Sequence, residues 1–200
     1  MKNHVGLSLV TLGLGSFWWL FASPGYGFPG QSVDEAKTWM QGHPTLRAES
    51  REGLRVHRAD IPSRRFTFQA SIFPIGGFQR VDNNSVWPTQ RANFDIVRRE
   101  EFILVDYDEQ VTAERLEESL RVIYGADVYA DYRRAELIDS YGFTVDATRG
   151  EVLLGSRYAY WLEVIPDANG IVTIGKLNVV LPEDVDRLQT YLQRQQADLR

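Results

Sequence analysis

The residues able to do chemistry in this chain are concentrated in four short stretches. Asp106-Tyr107-Asp108-Glu109 gathers three carboxylates, enough to recruit a hard cation or, together with Glu163, to supply the acid and base of a hydrolase. The plainer account is a set of solvated carboxylates leading into a helix. His57-Arg58-Ala59-Asp60 sets a histidine near a carboxylate, the pairing that a general base uses. No serine stands in a Gly-x-Ser-x-Gly elbow to be activated by it, so His57 reads as an exposed strand residue.

The third stretch is basic. Between positions 43 and 65 there are six arginines, namely 47, 51, 55, 58, 64 and 65, against Glu49, Glu52 and Asp60. Arg55, Arg58, Arg64 and Arg65 are therefore candidates for docking an acidic partner or an anionic surface. The fourth stretch is SRYAYWLEVI. As a strand it places Tyr158, Tyr160, Leu162 and Val164 on one face and Ala159, Trp161, Glu163 and Ile165 on the other. Two mostly apolar faces describe a central, buried strand. Tyr158, Tyr160, Trp161 and Glu163 are equally the candidates for lining a site for a small amphipathic ligand, since aromatics with polar tips suit half-wet surfaces.

What is missing narrows the chemistry further. The chain has no cysteine, which removes disulfides, thiolate metal sites and cysteine nucleophiles together, and only His43 and His57 stand outside the opening segment. No metal site and no cofactor is expected. Gly13-Leu14-Gly15 lies inside the opening segment, where no strand precedes it, so it does not read as a phosphate cradle. Asp167-Ala168-Asn169-Gly170 has the look of part of a calcium loop but lacks further acidic ligands, and turn chemistry accounts for it. A formal net charge of −5 repels phosphate backbones and argues against nucleic acid as a partner.

The elements that must hold these residues begin after an apolar leader. Lys2 precedes an uncharged, mostly apolar run of 18 residues, Val5 to Ala22, closed by Pro24-Gly25. Its length lies above the usual signal-peptide core and at the lower edge of a membrane-spanning helix. Residues 1–27 accordingly read as a signal peptide, diluted by glycine and serine and cleaved near Gly27, or as an N-terminal anchor that tethers the chain through residues 5–22. Either reading exports residues 28–200, to a periplasm or a thylakoid lumen, and a cysteine-free exported chain looks more bacterial than animal.

Residues 28–200 read as one globular α+β domain. Ser32-Val33-Asp34-Glu35 is a capping box opening a short helix. RRFTFQASIFP alternates with a period of two and predicts a strand, and residues 74–90 are loop-like. FDIVRREEFILVDYD predicts two strands or one bulged strand. Thr112 caps a helix that runs to Tyr124 and stops at Gly125, whereas ADVYADYRRAELIDSYG fits either a helix or an extended segment. FTVDATRGEVLLG and LEVIPDANGIVTIG predict consecutive hairpins, with Gly150 and Gly170 free to take positive φ. A C-terminal amphipathic helix, with Pro182 in its first turn and Val185, Leu188, Leu192 and Leu199 along one stripe, should cover the sheet. The class is α+β with an antiparallel sheet and two to four helices.

RRFTFQASIFP and RLEESLRVIYGADVY resemble stretches of an exported cyanobacterial family without assigned activity, a resemblance that implies a compartment and no chemistry. VDATRGEVL is similar to the closing hairpin of PepSY-type domains at Asp146, Gly150 and Val152. The expectation for function is an exported, non-enzymatic accessory or interaction protein with a protein partner. An amphipathic-ligand binder built on Tyr158, Tyr160 and Trp161, and a hydrolase built on Asp106, Asp108 or Glu163, are the alternatives.

Overall fold

The computed structural model describes residues 29–76, 95–143 and 147–198. The leader, most of the loop expected after Pro74, and Leu199 lie outside the described residues.

Helix α1, Val33–Gly42, starts at the capping box: Ser32 Oγ accepts from the Glu35 amide at 3.2 Å and the Glu35 carboxylate accepts from the Ser32 amide at 2.9 Å. Two free N–H groups are thereby satisfied reciprocally. Strands β1, Arg55–Ile61, and β2, Arg64–Ser71, form a hairpin, and the stretch that could have held two strands is one, β3, Arg99–Asp106. Thr112 caps α2, Ala113–Tyr124, accepting from the Arg115 amide at 3.3 Å. The ambiguous segment that follows divides into both of its readings: α3 covers Ala126–Tyr132 and β4 covers Glu136–Gly142. Hydrogen bonds to Asp131 from the turn before β6 hold α3 in place and fix the point of change. Strands β5, Arg149–Leu154, β6, Ala159–Pro166, and β7, Val172–Val180, complete the sheet, and a 3-10 turn at Pro182–Asp184 leads into α4, Val185–Asp198.

All neighbouring strands pair antiparallel, in the order β1-β2-β3-β7-β6-β5-β4. The C-terminal hairpins are thus consecutive arms of one meander, and the class is α+β. At the β6–β7 turn Gly170 takes φ 81°, and Asp167 Oδ1 accepts from the amides of Asn169 and Ile171 at 2.8 and 3.0 Å, so this acidic tetrapeptide spends its carboxylate on the turn. In the β4–β5 hairpin the positive φ of 53° falls on Ala147, while Gly150 sits inside β5. Glycine is required at 150 for space: a Cβ there would lie 2.3 Å from the Tyr141 ring.

The sheet separates two apolar clusters. On its inner face α1, α2 and α3 bury Trp39, Met40, Leu116, Leu120 and Tyr124 against Phe68, Phe102, Tyr160, Leu162, Leu177 and Val179. On its outer face α4 packs Val185, Leu188 and Leu192 over Val152, Ala159, Trp161 and Val180. Hydrophobic burial on both sides is the main force holding the three layers together. Among the described residues no helix is long and apolar enough to cross a membrane.

Candidate interaction face

Side chains alternate across a strand, so the register assigns every candidate residue to one face. A single cross-strand row on the outer face runs Arg55, Gln69, Glu101, Asn178, Trp161, Val152 and Asp139, from β1 at one edge to β4 at the other. The next row runs His57, Thr67, Ile103, Lys176, Glu163, Gly150 and Tyr141, and a third runs Ala59, Arg65, Val105, Ile174 and Ile165. The sheet therefore brings Arg55, Arg65, Trp161 and Glu163 to one face. Arg58, Arg64, Tyr158 and Tyr160 are directed to the other.

The two halves of the outer face differ. Under α4, Trp161 and Glu163 are buried in a closed network. The Trp161 indole donates to the Tyr141 hydroxyl at 2.6 Å, that hydroxyl donates to Glu163 Oε1 at 2.7 Å, and Lys176 donates to Glu163 Oε2 at 3.1 Å. Each partner satisfies the next, which is what burial of polar atoms demands. The Tyr141 hydroxyl is held far above its ordinary range, first by burial and then by the Glu163 charge. Asn178, beside Trp161 in its row, is fully buried and neither of its amide atoms has a hydrogen-bond partner.

Away from α4, over β1, β2 and β3, no helix among the described residues packs on the same face. Arg55 and His57 are exposed, and Arg65, Thr67, Gln69, Glu101, Ile103 and Val105 are half-buried. His57 Nδ1 lies 2.8 Å from Thr67 Oγ1, and the Arg65 guanidinium lies 5.6 Å from the centre of the Tyr107 ring, which is itself exposed. Among the described residues neither Arg55 nor Arg65 pairs with a carboxylate. Their neighbours on the inner side are neutralised. Arg58 donates to both Glu52 oxygens at 2.6 and 2.8 Å, and Arg64 meets Asp60 at 2.6 Å. The Arg58 guanidinium draws the Glu52 carboxyl down to about 2, and Arg64 lowers Asp60 in the same way. The 47-to-58 arginines form no helical stripe, because a 3-10 turn at Ser50–Glu52 gives way to β1.

The remaining candidates serve the inner layer. Tyr160 is fully buried and its hydroxyl donates to Asp131 Oδ2 at 2.8 Å. Asp131 also accepts from Ser156 Oγ at 2.6 Å and from the amides of Ser156, Arg157 and Tyr158 at 3.0, 3.3 and 3.4 Å, so it ties α3 to the turn before β6. Burial pushes the Asp131 carboxyl up, but these hydrogen bonds outweigh it and leave the group below its ordinary value. Asp106 is buried and pairs with Arg115 at 2.7 Å; its other oxygen accepts from the amides of Asp108 and Glu109. Asp108 is exposed and bonded to Ser63. Asp106 and Glu163 lie on opposite sides of the sheet, so these carboxylates do not converge on one cleft. An open groove of about 510 Å³ runs along α1, between Asp34, Thr38, Trp39, His43 and Pro44, on a different part of the molecule from the arginine face.

Sequence reasoning passed over Asp131, Asn178 and Glu100. A period-two pattern could have found Glu100, which shares its parity with Phe102 and Leu104. No protein family, curated protein or solved structure matches this chain.

Proposed function

We propose that residues 28–200 form a non-enzymatic interaction module, acting outside the cytoplasm, that docks an acidic segment of a partner protein on the outer face of β1, β2 and β3. One observation carries this reading: Arg55 and Arg65 share the half of that face away from α4 without a carboxylate partner among the described residues, while Arg58 and Arg64 are consumed by Glu52 and Asp60. A guanidinium that no internal carboxylate neutralises is available to an external one, and it matches carboxylates in a two-pronged geometry. Ile103 and Val105, half-buried beside them, supply an apolar floor on which such a contact excludes water. The apolar leader carries the compartment, a periplasm or a thylakoid lumen.

The test is a photo-crosslinking amino acid in place of Thr67, in the middle of the face, with Glu118 on the far side of α2 as the control position. In intact cells the reading expects one discrete adduct from position 67, joined to a peptide of net negative charge. Equal labelling from position 118, or adducts to many unrelated proteins, would count against it. Mass determination of the mature N-terminus reports on the leader in the same preparation.

A further inference from the structure

Glu100 lies in the layer between the sheet and α2. It points inward with Phe102 and Leu104, and its strand neighbours are Ala70 on β2 and Val179 on β7. It is fully buried, and neither carboxyl oxygen has a partner within hydrogen-bond geometry. The Tyr124 hydroxyl, at the last residue of α2, is the polar group that interacts with it. The Tyr124 ring in turn stacks on Trp39 at 6.1 Å and leans on Phe68 at 6.4 Å. One residue earlier, the carbonyl of Ile123 accepts from His43 Nε2 at 3.0 Å. His43 Nδ1 accepts from the amides of Thr45 and Leu46, both at 3.2 Å, which requires the neutral ring. The end of α2 is thus seated between two titratable side chains, a neutral imidazole and a fully buried carboxyl without a hydrogen-bond partner.

We infer that Glu100 is a pH-operated latch: the C-terminal end of α2 stays seated on the sheet while this carboxyl keeps its proton, and lifts when the proton is lost. The titratable groups facing Glu100 are Tyr124 from α2 and Tyr158 just before β6; Tyr160 of β6 lies beyond them, with Asp131 of α3 behind its hydroxyl. Ala70 and Val179 bring no charge, and among the described residues no arginine or lysine pairs with Glu100. An ionised carboxylate here would have no counter-charge among the described residues and no contact with bulk solvent, so opening the layer is its route to solvation.

The direction of the pH effect follows. Burial holds Glu100 well above its ordinary 4.5 in the closed form, and exposure returns it to that value. The latch is therefore at full strength below 4.5 and weakens as pH rises, by up to about tenfold in the opening equilibrium per pH unit, until the closed form itself ionises. His43 works in the opposite sense. Burial holds its ring below the ordinary 6.5, so its contribution is intact above 6.5 and is lost as pH falls. Above 6.5 the slope belongs to Glu100, because the tyrosines facing it are all raised from 10.0.

Amide hydrogen exchange of the full chain, corrected for intrinsic base catalysis and followed from about pH 5 to about pH 9, tests the latch. The wild type is expected to show opening of residues 120–128 that grows up to about tenfold per pH unit above 6.5, and Glu100→Gln to show no such growth. A slope that survives in Glu100→Gln, or its absence from the wild type, overturns the proposal. Should the variant fail to fold, carbon-13 NMR of the wild-type glutamate carboxyls reads the group directly. A Glu100 carboxyl titrating in the usual range would overturn the latch, and one still protonated near neutrality supports it.

Discussion

Arg64 and Arg65 are adjacent in the chain and lie on opposite sides of β2: Arg64 closes an ion pair with Asp60 at 2.6 Å, while Arg65 lies over Tyr107 on the outer face. That parity divides the basic stretch into arginines that serve the fold and arginines left for a partner. Arg58→Ala should cost about 1 kcal/mol, since it breaks a two-pronged pair with Glu52 at the surface. Arg55→Ala should stay within about 0.5 kcal/mol of wild type, the range of surface positions without such a feature. Urea unfolding of the two variants checks the division, and a larger loss from Arg55→Ala than from Arg58→Ala would reverse it.

Asp131 joins α3 to β6 and the turn before it through five donors, and truncating it orphans several of them in a buried setting. Asp131→Ala is expected to cost about 3 kcal/mol, within the range for leaving buried donors unmade. Because the folded carboxyl sits below its ordinary 3.8, its stabilisation is present above that value and is lost as pH falls through the folded value. Acid unfolding monitored by circular dichroism should therefore be shallower in Asp131→Asn than in wild type.

Gly150 and Tyr141 are coupled by space. A methyl at 150 must displace the Tyr141 ring, and with it the hydroxyl that bridges Trp161 and Glu163. Gly150→Ala is expected to cost about 1–3 kcal/mol, as overpacking does. Tyr141→Phe removes the bridge and leaves two buried partners, for a comparable loss. In the double variant the losses should fall short of additivity, which thermal unfolding of the four-member cycle measures.

Asn178 offers a gain. Its amide is buried with no partner for either end, so Asn178→Leu should raise stability by about 1 kcal/mol or more by removing an uncompensated polar group of similar volume. A loss of stability on thermal unfolding would mean that this amide is satisfied in solution.

The local features of this fold were readable because they depend on short spacings. Ser32 and Glu35, Thr112, and the alternation through Phe66 and Phe68 mark elements that form where expected. The alternation in SRYAYWLEVI correctly sets Tyr160 and Trp161 on opposite faces. What short spacings do not encode is register between distant strands. Arg55 and Trp161 share one row only because β7 returns between β3 and β6, a pairing fixed by the whole sheet. The ambiguity at residues 126–142 had the same origin, since Asp131 selects helix through contacts with Ser156 and Tyr160 far along the chain. Gly150 was legible as a special position but for the wrong reason, because the ring that crowds it is that of Tyr141, its cross-strand partner on the preceding strand.

The central claim, that the outer face of β1 to β3 docks an acidic partner, is tested most directly by affinity. The acidic peptide recovered from the position-67 adduct is titrated against wild type, Arg55→Glu/Arg65→Glu, and the exposed control Arg194→Glu by calorimetry at two salt concentrations. The account expects the double reversal to bind at least about tenfold more weakly and to lose salt dependence, with the control unchanged. Equal affinity of wild type and the double reversal would contradict it.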